Sequence, residues 1–139
     1  MSVDSAGMAA RLGIKPGMVV QELGWDEDAD EDLRDAIVEL SGAEMVDEET
    51  DEVADVVMLW WREDDGDLVD ALVDAGTSLA DDGVVWLLVP KSGRPGHVEP
   101  GDVTEAAPTA GLTQTSSISA AKDWSGIRLV TPKTARSRR

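Results

Sequence analysis

Cysteine, tyrosine and phenylalanine are absent from this 139-residue chain, and histidine occurs only once, as His97. The lack of cysteine excludes disulfides, thiolate zinc sites and cysteine nucleophiles. A single histidine excludes metal sites and mechanisms that require two imidazoles from one chain. All five aromatic residues are tryptophans, and at least two lie in apolar runs. Few aromatic side chains are therefore left for stacking on nucleic-acid bases.

Long hydrophobic runs are also missing, since the longest contain six residues. A membrane-spanning helix needs about 20 consecutive apolar residues. Residues 1–10 are small and polar and lack the apolar core of a signal peptide. We therefore expect a cytoplasmic protein that makes no contact with a membrane.

Basic residues are scarce in the first half of the chain. Residues 22–82 contain 24 acidic side chains and two basic ones, a net charge of −22, whereas residues 83–139 carry +4. The whole chain has a formal net charge of −17. Nucleic-acid binding requires a basic footprint, so it is not expected except through the basic tail. An acidic first half favours a basic protein surface as partner.

What the chain does contain predicts an α/β fold. Residues 84–89 (VVWLLV) are continuously apolar and end at Pro90, which is typical of a strand buried on both faces at the centre of a parallel sheet. We expect one domain over residues 13–131, a flexible lead-in over residues 1–12 and a basic disordered tail over residues 132–139. The domain has a mainly parallel Rossmann-like sheet, flanking helices and a C-terminal antiparallel hairpin.

Hydrophobic periodicity places the individual elements. Strands are predicted at residues 18–23, 43–46, 53–61, 84–89, 112–121 and 127–130. Amphipathic helices are predicted at residues 29–41, from 68 to about 82, and at 102–110. The motif Asp123-Trp124-Ser125-Gly126 is interpreted as the turn of the hairpin.

Several motifs resemble an uncharacterised bacterial family, domain of unknown function 3052. They are Leu12-Gly13-Ile14-Lys15-Pro16-Gly17-Met18, the segment 84–90 with Lys91-Ser92-Gly93, Ala110-Gly111-Leu112, and Lys122-Asp123-Trp124-Ser125-Gly126 with Leu129-Val130. The resemblance runs from about Leu12 to Lys133. It implies a small relative of the Rossmann-like methyltransferase fold. It implies no activity and no catalytic residues.

A methyltransferase-like fold raises the question of S-adenosylmethionine. The cofactor loop after the first strand reads Leu23-Gly24-Trp25-Asp26 and holds one glycine instead of a glycine-rich run. By position, Asp47 or Glu48 could be the acid that takes a ribose. The loop after residues 84–89 offers Lys91, Ser92 and Arg94 as anion ligands. The candidate cofactor-binding residues are therefore Gly24, Trp25, Asp47, Lys91, Ser92 and Arg94, and no cofactor is predicted.

Acidic loops give the interpretation we favour. In a parallel sheet the loops that leave the strands emerge at the same edge. Here those loops, residues 24–32, 47–52 and 62–67, are all rich in carboxylates, with Lys91 and Arg94 as a basic lip beside them. The candidate interaction residues are Asp26, Asp28, Asp47, Glu48, Glu49, Asp64, Asp65, Lys91, Arg94 and Trp124.

Catalytic and metal sites are not predicted. The alternating acids from Asp26 to Asp32 lack the glycine that a calcium loop needs at its sixth position. We expect a non-enzymatic interaction or regulatory module that binds a basic protein surface. The alternative is a degenerate methyltransferase-like protein that binds a small ligand, S-adenosylmethionine or a nucleotide, in the same cleft.

Overall fold

In the described part of the chain, four helices and five strands follow one another, and they alternate except for the last two strands. The computed structural model describes residues 5–47, 52–77 and 79–131. The elements are α1 (Ser5–Arg11), β1 (Val20–Leu23), α2 (Glu31–Ser41), β2 (Ala54–Trp60), α3 (Leu68–Thr77), β3 (Leu79–Pro90), α4 (Pro100–Thr109), β4 (Thr113–Ser119) and β5 (Trp124–Val130).

The five strands form one mixed sheet in the order β1-β2-β3-β5-β4. β1, β2 and β3 are parallel, with Val57 of β2 opposite Gln21 of β1 on one side and Val85 of β3 on the other. β5 runs antiparallel to β3 and to β4, so that Arg128 lies opposite Trp86. The predicted mainly parallel sheet with a C-terminal antiparallel hairpin is therefore confirmed.

The predicted central strand lies at the centre of the sheet. Along β3, successive side chains enter two hydrophobic cores, one on each face. Trp86 packs on the face covered by α1 and α2, and its indole Nε1 donates to the Leu12 carbonyl oxygen at 2.8 Å. Leu87 packs on the face covered by α3 and α4. This burial on both faces explains the continuous apolar run.

Helix α2 ends where its sequence predicts and begins at Glu31, two residues after the predicted start. Asp30 is the N-cap, and its carboxylate accepts a hydrogen bond from the Leu33 amide at 2.8 Å. Gly42 ends the helix with φ of +88°. Leu33 and Ile37 are buried between the helix and the sheet.

Two of the predicted boundaries at the N-terminal side are wrong. Residues 5–12 are not a lead-in before the domain, because α1 contacts α2 and buries Ala9 and Leu12 in the core. The predicted strand at residues 43–46 reduces to one parallel bridge, between Val46 and Gln21. Residues 1–4 and the tail at 132–139 lie outside the described residues.

Two further boundaries differ at the C-terminal side. Helix α3 stops at Thr77, because Leu79 already pairs with Ala54 of β2 and begins β3. Trp124 is the first residue of β5 instead of part of the turn. Gly126 suggested a turn but lies within β5, where a Cβ would come 3.3 Å from Trp86 Cε3. Its lack of a side chain makes room for that indole.

Candidate functional site

The parallel strands end at one edge of the sheet, which we call the carboxyl edge. The loop after β1 begins at Gly24, whose φ is +76°. A Cβ at this position would lie 2.3 Å from the carbonyl oxygen of Trp60, the last residue of β2. The loop therefore lies directly against the end of the neighbouring strand, an approach that only glycine permits.

Arg62 joins the two strand ends. Its Nη1 donates to the carbonyl oxygens of Gly24 at 2.7 Å and Trp60 at 3.4 Å, and to Asp65 at 3.4 Å. Its Nε and Nη2 donate hydrogen bonds to the two carboxylate oxygens of Asp28. The guanidinium lies 5.2 Å from the ring centroid of Trp124. We call these residues the Arg62 cluster.

Charge balances burial within the Arg62 cluster. Burial acts to lower the pKa of Arg62, but hydrogen bonds and charges from Asp28 and Asp65 outweigh it, so the pKa is raised. The hydrogen bonds from Arg62 in turn hold the pKa of Asp28 below its ordinary value. The ion pair is therefore charged at neutral pH.

Arg34 forms a second set of contacts, the Arg34 cluster. Its Nε and Nη2 donate to both oxygens of Glu22 at 2.6 and 2.7 Å, and its Nη1 donates to Glu31 at 2.8 Å. Trp60 Nε1 donates to Glu22 at 2.9 Å. Arg34 also lies 5.6 Å from the ring centroid of Trp25. The hydrogen bonds to Glu22, the largest cause, raise the pKa of Arg34 above its usual range.

Two tryptophans in edge-to-face contact connect the clusters. Trp60 and Trp124 meet edge to face, with ring centroids 4.9 Å apart. Trp124 Nε1 donates to the Asp28 carbonyl oxygen at 3.1 Å. Trp124 is buried against the sheet and offers no exposed anchor to a partner, contrary to its place among the candidate interaction residues.

A cleft of about 650 Å³ opens beside the Arg62 cluster, between β1, β2 and α3. Its floor is apolar, with Leu23 and Leu59, and Trp25 lines it while remaining 49% exposed. Carboxylates of three aspartates also line it. We call it the α3 cleft, and its lining is Gln21, Leu23, Gly24, Trp25, Asp26, Leu59, Trp60, Trp61, Arg62, Asp65, Ala71, Asp74 and Thr77.

The loop after β3 faces a separate hollow of about 180 Å³. Arg94 lines this hollow and pairs with Asp123 at 3.3 Å. Asp28 lines it too, so the pair of Arg62 and Asp28 lies between the two cavities. Arg94 thus lies beside the acidic loop that holds Asp28, and its ion pair is with Asp123 of the β4–β5 turn.

The candidate cofactor residues are therefore divided. Gly24 and Trp25 line the α3 cleft, whereas Arg94 lines the small hollow. Lys91 is half-buried and Ser92 is exposed, and neither lines the cleft. Asp47 is exposed, and its carbonyl oxygen accepts from Gln21 Nε2 at 3.0 Å.

Among the described candidate interaction residues, all are exposed except Trp124, which is buried, and Lys91, which is half-buried. Asp26, Asp28, Asp64 and Asp65 are exposed on the two loops that the structure brings together. Glu48 and Glu49 lie outside the described residues.

Sequence reasoning missed the roles of Arg62, Arg34 and Glu22. One signal was present, since Arg34 and Arg62 are the two cations among the 24 acids of residues 22–82. An isolated cation in such a segment is expected to bind several carboxylates. The sequence does not show which carboxylates these are. Among the described residues, no three side chains converge as metal ligands, and no helix is long and apolar enough to cross a bilayer.

Comparison with known families identifies the group to which the chain is related. A family model described as "Protein of unknown function (DUF3052)" matches residues 9–133. The chain belongs to this family. Uncharacterised proteins of Mycobacterium tuberculosis and Mycobacterium bovis are each 55% identical over 135 residues, covering 97% of this chain and 85% of theirs. The resemblance drawn from the sequence motifs is confirmed.

Solved structures show the same fold. A SAM-dependent methyltransferase from Aquifex aeolicus superposes with a TM-score of 0.62 at 14% identity, covering 91% of this chain and 88% of that protein. A TehB-like SAM-dependent methyltransferase from Corynebacterium glutamicum gives 0.57 at 13% identity, covering 92% and 88%. The methyltransferase-like architecture is therefore shown, and at these identities the likeness extends to the fold alone.

Proposed function

We propose that this protein is a non-enzymatic binding module that holds a basic segment of a partner protein at its carboxyl edge. The observation that carries the proposal is the position of Arg62. Its guanidinium bonds the carbonyl oxygens at the ends of β1 and β2, at the edge where open α/β sheets bind small ligands. The same edge presents carboxylates to solvent.

The basic character of the partner follows from charge. Asp26, Glu27, Glu63 and Asp64 are exposed on the two adjoining loops. Within the described ranges none of them pairs with a cation. Their combined field repels phosphates and nucleic acids and attracts lysine and arginine side chains. The proposal takes the protein to act in the cytoplasm, as the sequence predicts.

S-adenosylmethionine, the cofactor of the structural neighbours, does not fit these residues. The loop after β1 has one glycine, and the backbone carbonyl of that glycine is bonded to Arg62. The Arg62 side chain is already saturated by Asp28 and Asp65, which leaves it unavailable to a ligand carboxylate. A cofactor in this position would have to displace an ion pair and the carbonyl contacts together.

One observation favours the alternative, a small ligand. The α3 cleft is adjacent to Gly24, and its volume of about 650 Å³ lies within the range of small-molecule sites. Calorimetric titration with S-adenosylmethionine tests this alternative. We expect no heat of binding. A saturable one-to-one isotherm would favour the ligand over the partner.

The test of the main proposal uses two variants that lose the same charge. One replaces the edge acids (Asp26→Asn, Glu27→Gln, Glu63→Gln, Asp64→Asn). The control replaces four exposed acids elsewhere (Glu39→Gln, Glu44→Gln, Asp102→Asn, Glu105→Gln). The probe is a fluorescent octa-lysine peptide, and its anisotropy is measured at low salt.

We expect the edge variant to lose about fivefold or more in affinity relative to the control, because nearby charges act more strongly than distant screened ones. Affinity capture from lysate with the same two variants then shows whether basic proteins are lost only with the edge acids. An equal loss in both variants would mean that the peptide senses net charge alone, and the proposal would be wrong.

A further inference from the structure

Both arginines of the acidic segment are bound by the same combination of groups. Arg34 lies over Trp25 and pairs with Glu22 and Glu31. Arg62 lies over Trp124 and pairs with Asp28 and Asp65. In each case a planar guanidinium combines an indole ring with two carboxylates. This combination suits arginine, whose cation is delocalised, planar and weakly hydrated.

The α3 cleft also brings an indole ring and carboxylates together, and it shares Trp25 with the Arg34 cluster and Asp65 with the Arg62 cluster. Trp25 and Asp26 line its mouth, and Asp65 lies at the same end, because Arg62 Nη1 bonds both Asp65 and the Gly24 carbonyl oxygen. Asp74 lines the wall formed by α3. In the part of the chain that the structure describes, neither Asp26 nor Asp74 pairs with a cation.

We propose that the α3 cleft is the anchor pocket for an arginine side chain of the partner segment, with the guanidinium at Trp25 and Asp26. This inference rests on the proposed function and names the residue that the partner inserts. The methylene stem of the arginine packs on the apolar floor of Leu23 and Leu59.

The arginine pocket is tested by NMR on the full chain. Indole and backbone amide resonances are followed during titration with N-acetylarginine amide and, separately, with N-acetyllysine amide. The five indole Nε1–H signals distinguish Trp25 from the buried tryptophans. We expect arginine to shift Trp25, Ala71 and Thr77 in a saturable way and with about threefold tighter binding than lysine, since the cation–π contact favours guanidinium.

Matched variants decide whether the shifts come from the cleft. Asp26→Asn and Trp25→Leu should abolish the preference for arginine. Glu105→Gln, an exposed acid outside the cleft, should leave it unchanged. If Trp25→Leu disturbs folding, Asp26→Asn alone keeps the test valid, because Asp26 is exposed and makes no ion pair within the described ranges.

The outcomes separate this inference from the proposed function. Equal shifts with arginine and lysine, or shifts spread over acids outside the cleft, would overturn the arginine pocket. If octa-lysine still depends on the edge acids in that case, the carboxyl edge remains a binding surface without this anchor. If the dependence on edge acids is also lost, both proposals are wrong.

Discussion

Arg34 reaches Glu22 from helix α2, whereas Arg62 reaches two backbone carbonyls from the end of β2. The carboxylate of Glu22 is enclosed, with a side chain only 10% exposed. The acids of the Arg62 cluster are more open, at 54% for Asp28 and 35% for Asp65. Similar groups are thus placed in different surroundings.

The difference in surroundings implies a difference in role. The Arg34 cluster joins α2 to the sheet through a nearly buried ion pair, and its loss leaves charges and the Trp60 indole without partners. The Arg62 cluster joins loop to strand end and determines whether the space between β1 and β2 is open. We therefore expect the first to matter more for stability and the second more for the shape of the carboxyl edge.

Gly24→Ala should disrupt the Arg62 cluster and cause the largest loss of stability among the variants. The added Cβ meets the Trp60 carbonyl oxygen at 2.3 Å, and the backbone has φ of +76°. We expect a loss of at least about 3 kcal/mol in the free energy of unfolding, measured by urea denaturation.

The matched control for Gly24 is Gly13→Ala, at φ of +88° with no atom within 4 Å of the new Cβ. This variant should lose only about 1 kcal/mol, from backbone strain alone. Equal losses in the two variants would contradict the close approach of loop and strand.

Glu22→Ala should disrupt the Arg34 cluster and cause the next largest loss of stability. It leaves the partly buried Arg34 and the Trp60 Nε1–H without their acceptor. We expect about 2–3 kcal/mol of destabilisation in urea denaturation. Glu22→Gln keeps an acceptor for Trp60 and should lose clearly less; the same loss in both variants would argue against the hydrogen-bond network.

Arg62→Met should have a smaller effect on stability, about 1–2 kcal/mol, because Asp28 and Asp65 return to solvent while the apolar stem is kept. The effect of Arg62→Met on the conformation of the loop after β1 should be larger than that of Arg34→Met. We expect faster amide hydrogen exchange in the loop after β1 only for Arg62→Met. Similar exchange in both variants would remove the proposed distinction in role.

Acidification should give the smallest loss of stability. Comparison of the wild type with Asp28→Asn isolates the part of this loss that comes from the Arg62 cluster. The hydrogen bonds from Arg62 lower the pKa of Asp28 below its ordinary 3.8 in the folded protein. Its stabilisation is therefore fully present above that value and is lost as the pH falls through the lowered pKa. Because Asp28 is more than half exposed, we expect less than about 1 kcal/mol.

The pH prediction is measured as the difference in urea midpoint between wild type and Asp28→Asn, at about pH 6 and about pH 3. This difference should shrink at the lower pH. Asp64→Asn removes the same charge at an exposed acid without a cation among the described residues and is the matched control. A difference that is constant with pH would contradict the ion pair.

The sequence by itself determined the fold class and the principal elements. Residues 84–89 predicted the central strand because a strand covered on both faces has no polar side to alternate with. Hydrophobic periodicity predicted α2 to within two residues of its observed ends, where Asp30 and Gly42 cap the helix. The acidic carboxyl edge was also predictable, since parallel strands place their loops together.

The tertiary structure alone decided how that edge is organised. Arg62 binds Asp28 across 34 residues and Trp124 approaches Asp28 across 96, separations that no local pattern encodes. The sequence predicts a turn at Trp124 because Gly126 lies two residues later. In the structure Trp124 and Gly126 are both part of β5, and Gly126 lies against the Trp86 ring of β3. Long-range pairing of charges and rings depends on which elements the core brings into contact, and the chain reveals this only when folded.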